Sequence, residues 1–249
     1  MVLSSDKTYK PMSNTHSLDL EASSSQYATA ADSSSLSLSG DHTVECWVRM
    51  ESLPTTEYMF LVAKHGASGQ FGYLWGIWNN SGNYQVRGGI SSNGINFQQH
   101  SVNLGTFNTG TWYHLAIAFT ASTHTLEVYK DGVSLGTDAT GTLTSIYDNT
   151  QLFYVGAVNQ LAPAQFFDGL IDEVKIYSDV RTGSEILNDM YSSPSTGDNL
   201  VAYWSLNNVA TDASGNSNTL TLQNSPSYST TTPFTSYGRA TASFIFSML

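Results

Sequence analysis

Apolar side chains recur at every second position in one segment of this chain after another, the spacing of extended strands with one face toward an interior. In DHTVECWVRM, Val44, Cys46, Val48 and Met50 alternate with Thr43, Glu45, Trp47 and Arg49. The same period in TWYHLAIAFT puts Tyr113, Leu115, Ile117 and Phe119 on one face. TLEVYKDGVSLGT reads as a hairpin closed by Asp131-Gly132, a pair suited to the positive φ of a tight turn. SLDLEASSSQYATAA predicts two short strands, around Leu18 and Leu20 and around Tyr27 and Thr29, joined by a Ser-rich turn. MFLVAKHG, QFGYLWGIWNN, YQVRGGISS and QLFYVGA continue the series, with Gly, Ser and Asn between them. About ten to fourteen short strands at this spacing imply an all-β fold of two packed antiparallel sheets.

One helix interrupts the series. Thr182 to Glu185 spell a T-x-x-E capping box ahead of a stripe of Ile186, Leu187 and Met190, which predicts a short helix plugging one end of the sandwich. NLVAYWSLNN then reads as a strand, DASGNSN as a turn and TLTLQN as a further strand. From Ser225 the chain turns Ser/Thr-rich and ends in ASFIFSML, whose Phe244, Phe246 and Met248 are in phase. The pattern therefore divides the chain into an N-terminal arm (1–16), a sandwich (17–224) and a C-terminal linker with a terminal strand (225–249).

FDGLIDEVKIY poses a problem. Strict alternation sets Asp168, Leu170, Asp172, Val174 and Ile176 on one face, and Ile171, Glu173, Lys175 and Tyr177 on the other. Asp172 would then point with aliphatic residues toward a core, where an unsatisfied charge costs several kcal/mol. Three solutions stay open: several hydrogen-bond donors, a metal ion, or a salt bridge.

Composition narrows the function. Charged residues are only 12% and aromatics also 12%, a mixture suited to strands and polar surfaces rather than long amphipathic helices. Nine Lys and Arg against twenty Asp and Glu give a net charge of −11 and leave no basic stripe for nucleic acid. The single Cys46, inside an apolar strand, reads as a buried small hydrophobe. No stretch approaches the roughly 20 apolar residues of a membrane span, and MVLSSDKTYKPMSNTHS lacks the apolar run of a signal peptide.

Six segments in a fixed order, SLDLEASSSQYATAA, HTVECWVRM, TWYHLAIAF, LEVYKDGVSLGT, FDGLIDEVKIYSDVRTGSEI and NLVAYWSLNNVATDASGNSNTLTL, resemble the laminin-G-like, concanavalin A-like lectin/glucanase jelly-roll domains of bacterial and phage proteins. The likeness runs from Ser17 to Asn224. It implies a jelly-roll β-sandwich of two curved antiparallel sheets, with Asp212, Gly215 and Asn216 matching the family's D-x-S-G-N turn. The resemblance also implies a structural calcium, with ligands drawn from Asp172, Asp168, Asp19, Asp41 and Asp212. Such an ion needs six to eight oxygen ligands.

Glycoside hydrolysis requires two carboxyl groups facing one another across roughly 5 to 10 Å. The one in-phase pair, Asp168 and Asp172, straddles the start of its strand, and the E-x-D-x-E strand of the family's glucanase branch is absent. Nor is there a G-x-S-x-G or H-E-x-x-H motif, and His114 inside its strand reads as structural. The chain is therefore expected to be a non-catalytic adhesion or binding module, with a glycosidase the weakest alternative. FGYLWGIWNNSGNYQVRGG is its most sugar-like stretch, offering Tyr73, Trp75, Trp78, Asn79, Asn80, Tyr84 and Arg87 as a platform of rings, amides and a guanidinium. Trp75 and Trp78 fall on opposite faces, so one of them belongs to the core.

The expected partners are a glycan or cell-surface polysaccharide and, through the chain ends, copies of itself or virion or surface-layer proteins. The expected place is extracellular or on a virion surface, either as a decoration or tail component or as a calcium-assisted lectin domain of a secreted protein.

Overall fold

The computed structural model describes residues 10–11, 14–55 and 58–234. In chain order the strands begin β1 (Lys10–Pro11), β2 (Ser17–Leu20), β3 (Tyr27–Ala30), β4 (His42–Met50), β5 (Tyr58–Lys64), β6 (Tyr73–Asn80) and β7 (Asn83–Ile90). They continue with β8 (Gln98–Asn103), β9 (Tyr113–Thr120), β10 (Thr125–Lys130), β11 (Val133–Asp138), β12 (Phe153–Val155), β13 (Val158–Asn159) and β14 (Pro163–Ala164). After β15 (Gly169–Tyr177) come helix α1 (Gly183–Asp189), β16 (Ser192–Ser193), β17 (Leu200–Trp204), β18 (Thr221–Gln223) and β19 (Ser227–Ser229).

Two antiparallel sheets face each other. One has eight strands in the order β11-β10-β9-β4-β15-β2-β19, with β17 also paired to β15; the other has seven, β18-β3-β12-β5-β6-β7-β8. Alternation explains the interior. Val44, Cys46 and Val48 of β4 and Leu115, Ile117 and Phe119 of β9 pack against Tyr73, Trp75 and Ile77 of β6 and Phe153 and Val155 of β12 in one buried cluster. The close fit leaves no room at Gly88, where a Cβ would stand 2.6 Å from Trp75 Cε3 and 2.0 Å from the Leu74 carbonyl oxygen. Only glycine lets β6 and β7 approach beneath the indole.

Local signals behave as their chemistry dictates. Asp131 and Gly132, at φ 52° and 76°, close the β10–β11 hairpin. Thr182 accepts from the Glu185 N–H while the Glu185 carboxylate accepts from the Thr182 N–H, completing the capping box of α1. The D-x-S-G-N turn does more than reverse the chain. The hydroxyl of Ser214 and the amides of Asn216 and Asn218 all donate to the Val201 carbonyl, and Asn216 also donates to Leu200, so side chains satisfy this stretch of β17 where another strand would otherwise pair.

Strict alternation fails in β15. Glu173 adopts φ 52°, and the pairing with β4 slips between Asp172 and Lys175. This bulge switches the faces. Ile171 lies in the core ahead of it and Val174 and Ile176 after it, so Asp172 points with Lys175 and Tyr177 to the outer side of the sheet. The expectation that Asp172 shares a face with Val174 and Ile176 is thereby corrected, as is the one that Asp172 and Glu173 diverge.

The C-terminal boundary shifts as well. Ser227–Ser229 pairs with β2, Tyr228 packs against the core and Phe234 meets Trp47 edge-on at 5.7 Å, so residues 225–234 belong to the sandwich rather than to a linker. The predicted strand near Phe244 and Phe246 lies outside the described residues. At the other end, β1 pairs with β16, and Asn14 and Thr15 bond to the sandwich.

Candidate functional site

On the outer face of the seven-stranded sheet, side chains from four adjacent strands form a row. Tyr58 of β5 lies opposite Trp78 of β6, their rings 6.0 Å apart and inclined by 21°, and Phe60 stacks on Tyr58 at 5.2 Å. The Arg87 guanidinium of β7 lies 3.8 Å from the centre of Trp78 and 5.6 Å from that of Tyr58. Gln99 of β8 accepts from Arg87 Nη2 and donates to the Tyr58 hydroxyl at 2.9 Å, while Gln85 donates to Asn103 at 2.7 Å. Rings, a guanidinium and carboxamides on one half-exposed sheet face are the parts from which sugar hydroxyls and C–H faces are recognised.

The predicted platform is thus split. Trp78 and Arg87 belong to the row, but Tyr73 and Trp75 do not: both are buried in the core, Tyr73 donating to the Leu36 carbonyl at 3.0 Å and Trp75 Nε1 to His42 Nε2 at 3.1 Å. The register of β6 turns their faces inward, so neither can meet a ligand. Tyr84 is half-buried against the interior. Asn79 braces the β6–β7 turn, donating to the Pro54 and Thr55 carbonyls and accepting from the Gly82 N–H, with the exposed Asn80 paired to Asn83 beside it. Gln85 joins the row from within the sugar-like run, though not named there, and Tyr58 and Gln99 join it from outside that run; only strand pairing brings them together.

The outer face of the other sheet buries a set of charges. Asp172 Oδ1 accepts from the Asn14 amide at 2.7 Å and from the Glu173 N–H at 3.0 Å, while Oδ2 has no partner among the described residues. Glu173 accepts from Asn14 at 3.2 Å and from the Tyr203 hydroxyl at 2.7 Å. Burial, and then the neighbouring Glu173, push the Asp172 carboxyl well above its ordinary range, and burial raises Glu173 too. Glu45, across from Lys175, is pushed up to about 7 by burial, and burial together with Lys175 pushes His114, 3.5 Å away, down to about 3. Hydrogen bonding by a side-chain amide and a backbone N–H is thus what holds Asp172 in place. Asp168 lies at the start of the strand, accepting from the Ala22 N–H and the Ser52 hydroxyl, and shares no partner with Asp172.

The proposed calcium ligands also separate. Asp172 sits under Asn14, and Asp212 is saturated by donors from Tyr203, Ser214 and Asn218. Asp41 accepts from the Ala121 N–H beside a hydroxyl-lined cleft of about 490 Å³ that includes Ser34, Ser39 and Asn199. Asp19 remains, and the structure adds two acids that sequence spacing missed: Asp19, Glu21 and Glu51 offer oxygens all within 4.8 Å of one another. Burial raises the pKa of both Asp19 and Glu51; Asp168 adds to each, Asp19 and Glu21 add to Glu51, and a hydrogen bond from Ser227 opposes the rise in Asp19.

Two face-to-face antiparallel sheets closed by one short helix define a concanavalin A-like jelly roll. The chain belongs to the concanavalin A-like lectin/glucanases superfamily, whose laminin-G-type family model matches residues 22–187. Among solved structures it is similar to a Bacteroides ovatus protein provisionally named as carbohydrate-binding, at 17% identity and TM-score 0.64, covering 88% of this chain and 61% of that one. It thus spans less than two thirds of that protein. It is also similar to the CBM40 of a Ruminococcus gnavus sialidase bound to α2,6 sialyllactose, at 12% identity and TM-score 0.52, covering 72% of this chain and 99% of that one. No curated protein matches the sequence. Among the described residues, no helix is long and apolar enough to cross a membrane.

Proposed function

We propose that the protein is a non-catalytic glycan-binding module, working outside the cell on a surface polysaccharide, with its site on the outer face of the seven-stranded sheet. The observation that carries this reading is the row of Tyr58, Trp78, Arg87 and Gln99, four chemically matched side chains contributed by four neighbouring strands. The names of its structural neighbours, one provisionally carbohydrate-binding and one a carbohydrate-binding module of a sialidase, support the same class. Asp172 and Glu173 do not fit a hydrolytic pair, since both are buried beneath Asn14, which donates to each, and Tyr203 donates to Glu173 as well, leaving among the described residues no open groove in which a substrate could lie between them.

Affinity electrophoresis through gels containing polysaccharides tests the reading. Wild type should be retarded by at least one polymer, Trp78→Ala should run freely, and both should melt at similar temperatures. Retardation that survives Trp78→Ala places the site elsewhere. A structural calcium belongs to the same proposal: Asp19, Glu21 and Glu51 suit a hard divalent ion, which would relieve their mutual repulsion. Melting in millimolar calcium should then exceed melting in chelator, and the increment should vanish in Glu51→Gln.

A further inference from the structure

Arg87 is treated differently from the other described cations of this acidic chain. Arg49 faces Glu51 at 3.8 Å, Lys64 faces Asp32 at 2.9 Å, and Arg181 is ringed by Asp179, Glu185, Asp189 and Asp198. Lys130 donates to the Leu104 and Thr106 carbonyls, and Lys175, across from Glu45, donates to that of Asp189. Arg87 has none of this. Among the described residues it has neither a carboxylate within salt-bridge reach nor a backbone carbonyl partner, in a protein with twenty acidic residues against nine basic ones.

Its guanidinium instead lies over Trp78, 3.8 Å from the ring centre, with Nη2 donating to Gln99, which is itself tied to Tyr58. Two consequences follow. The indole face on which a neutral pyranose would stack is already covered by a cation. That cation is also held in one orientation, so its remaining N–H groups form a preorganised fork of the kind that matches a planar carboxylate.

We propose that this face recognises a carboxylate-bearing sugar, a uronate or sialate unit of an acidic polysaccharide, with Arg87 receiving the carboxylate and Trp78, Tyr58 and Gln99 holding the guanidinium in place. The inference rests on the glycan-binding reading and adds the chemical class of the ligand.

The test is affinity electrophoresis at low salt in polygalacturonate, polysialic acid, their carboxyl-reduced forms, and a neutral β-glucan. The first two gels tell a uronate from a sialate. Wild type should be retarded by at least one acidic polymer, at least tenfold less by its reduced counterpart, and progressively less as salt rises. Arg87→Gln should abolish that retardation, while Arg87→Lys, which keeps the charge without the fork, should recover only part of it. Equal binding to native and reduced polymer, or acidic binding unchanged in Arg87→Gln, overturns the inference. Retardation by β-glucan alone, lost in Trp78→Ala and kept in Arg87→Gln, overturns it while leaving the glycan-binding module intact. No retardation in any gel overturns both.

Discussion

Replacing Glu45 by Gln measures what a buried carboxyl does to this sheet. Glu45 lies on the outer side of β4, fully buried, across from Lys175 and 3.5 Å from His114, and neither of its oxygens receives a hydrogen bond among the described residues. Lys175 and Arg181 favour its charged form, Glu185 and Asp179 oppose it, and burial outweighs them all, so it titrates near 7 in the folded protein against 4.5 ordinarily. A pKa raised by folding gives stability that is fully present below pH 4.5 and lost as the pH climbs through 7. Across that gap, at about 1.4 kcal/mol for each pH unit, the loss comes to about 3 kcal/mol. Gln keeps the shape and never ionises. Urea unfolding should find Glu45→Gln within about 1 kcal/mol of wild type at pH 5 and about 3 kcal/mol more stable at pH 8, with similar m-values. A difference that does not change with pH would mean that Glu45 is charged and paired throughout, which refutes the reasoning.

Three further substitutions probe other contacts. Gly88→Ala forces a methyl group against the Leu74 carbonyl and the Trp75 ring and should cost about 3 kcal/mol, seen as a lower urea midpoint. Asn14→Ala removes an amide that donates to both Asp172 and Glu173, and should cost about 2 kcal/mol. Because both carboxyls have raised pKa values and their charged forms most need that donor, the cost should be greater at pH 8 than at pH 5; equal costs would count against a titrating pair. Thr182→Ala takes away the cap of α1 and should cost about 1 kcal/mol in a thermal melt, without altering binding to any polysaccharide.

What could be read from the sequence was whatever depends on near neighbours. Alternation in β4, β9 and β10, the Asp131-Gly132 turn and the Thr182–Glu185 box are set by side-chain direction and local hydrogen bonding, and all appear as expected. The opposition of Trp75 and Trp78 was legible too. Which of them faces water was not, because that depends on the sheet lying across the interior, where His42 waits for the Trp75 N–H. Strict period-2 reasoning failed at Glu173, since a left-handed residue inside an apolar run leaves no mark in composition. Asn14 meets Asp172 from 158 positions away, and Tyr58 meets Gln99 from 41, separations over which no local pattern reaches. The acid cluster of Asp19, Glu21 and Glu51 likewise exists only because β2 and β4 end on either side of the start of β15.

The slip in β15 also decides which genetic changes the strand can survive. Excising one codon at Glu173 would restore an unbroken ladder and leave every other side chain on its present face, with Val174 and Ile176 in the oil and Lys175 and Tyr177 outside it. The second half of the strand is thus spelled for a frame one residue out of step with the first. Loss of that one residue is thus a length change the strand can absorb, whereas removing or adding a single residue elsewhere in it would turn one half over against the other.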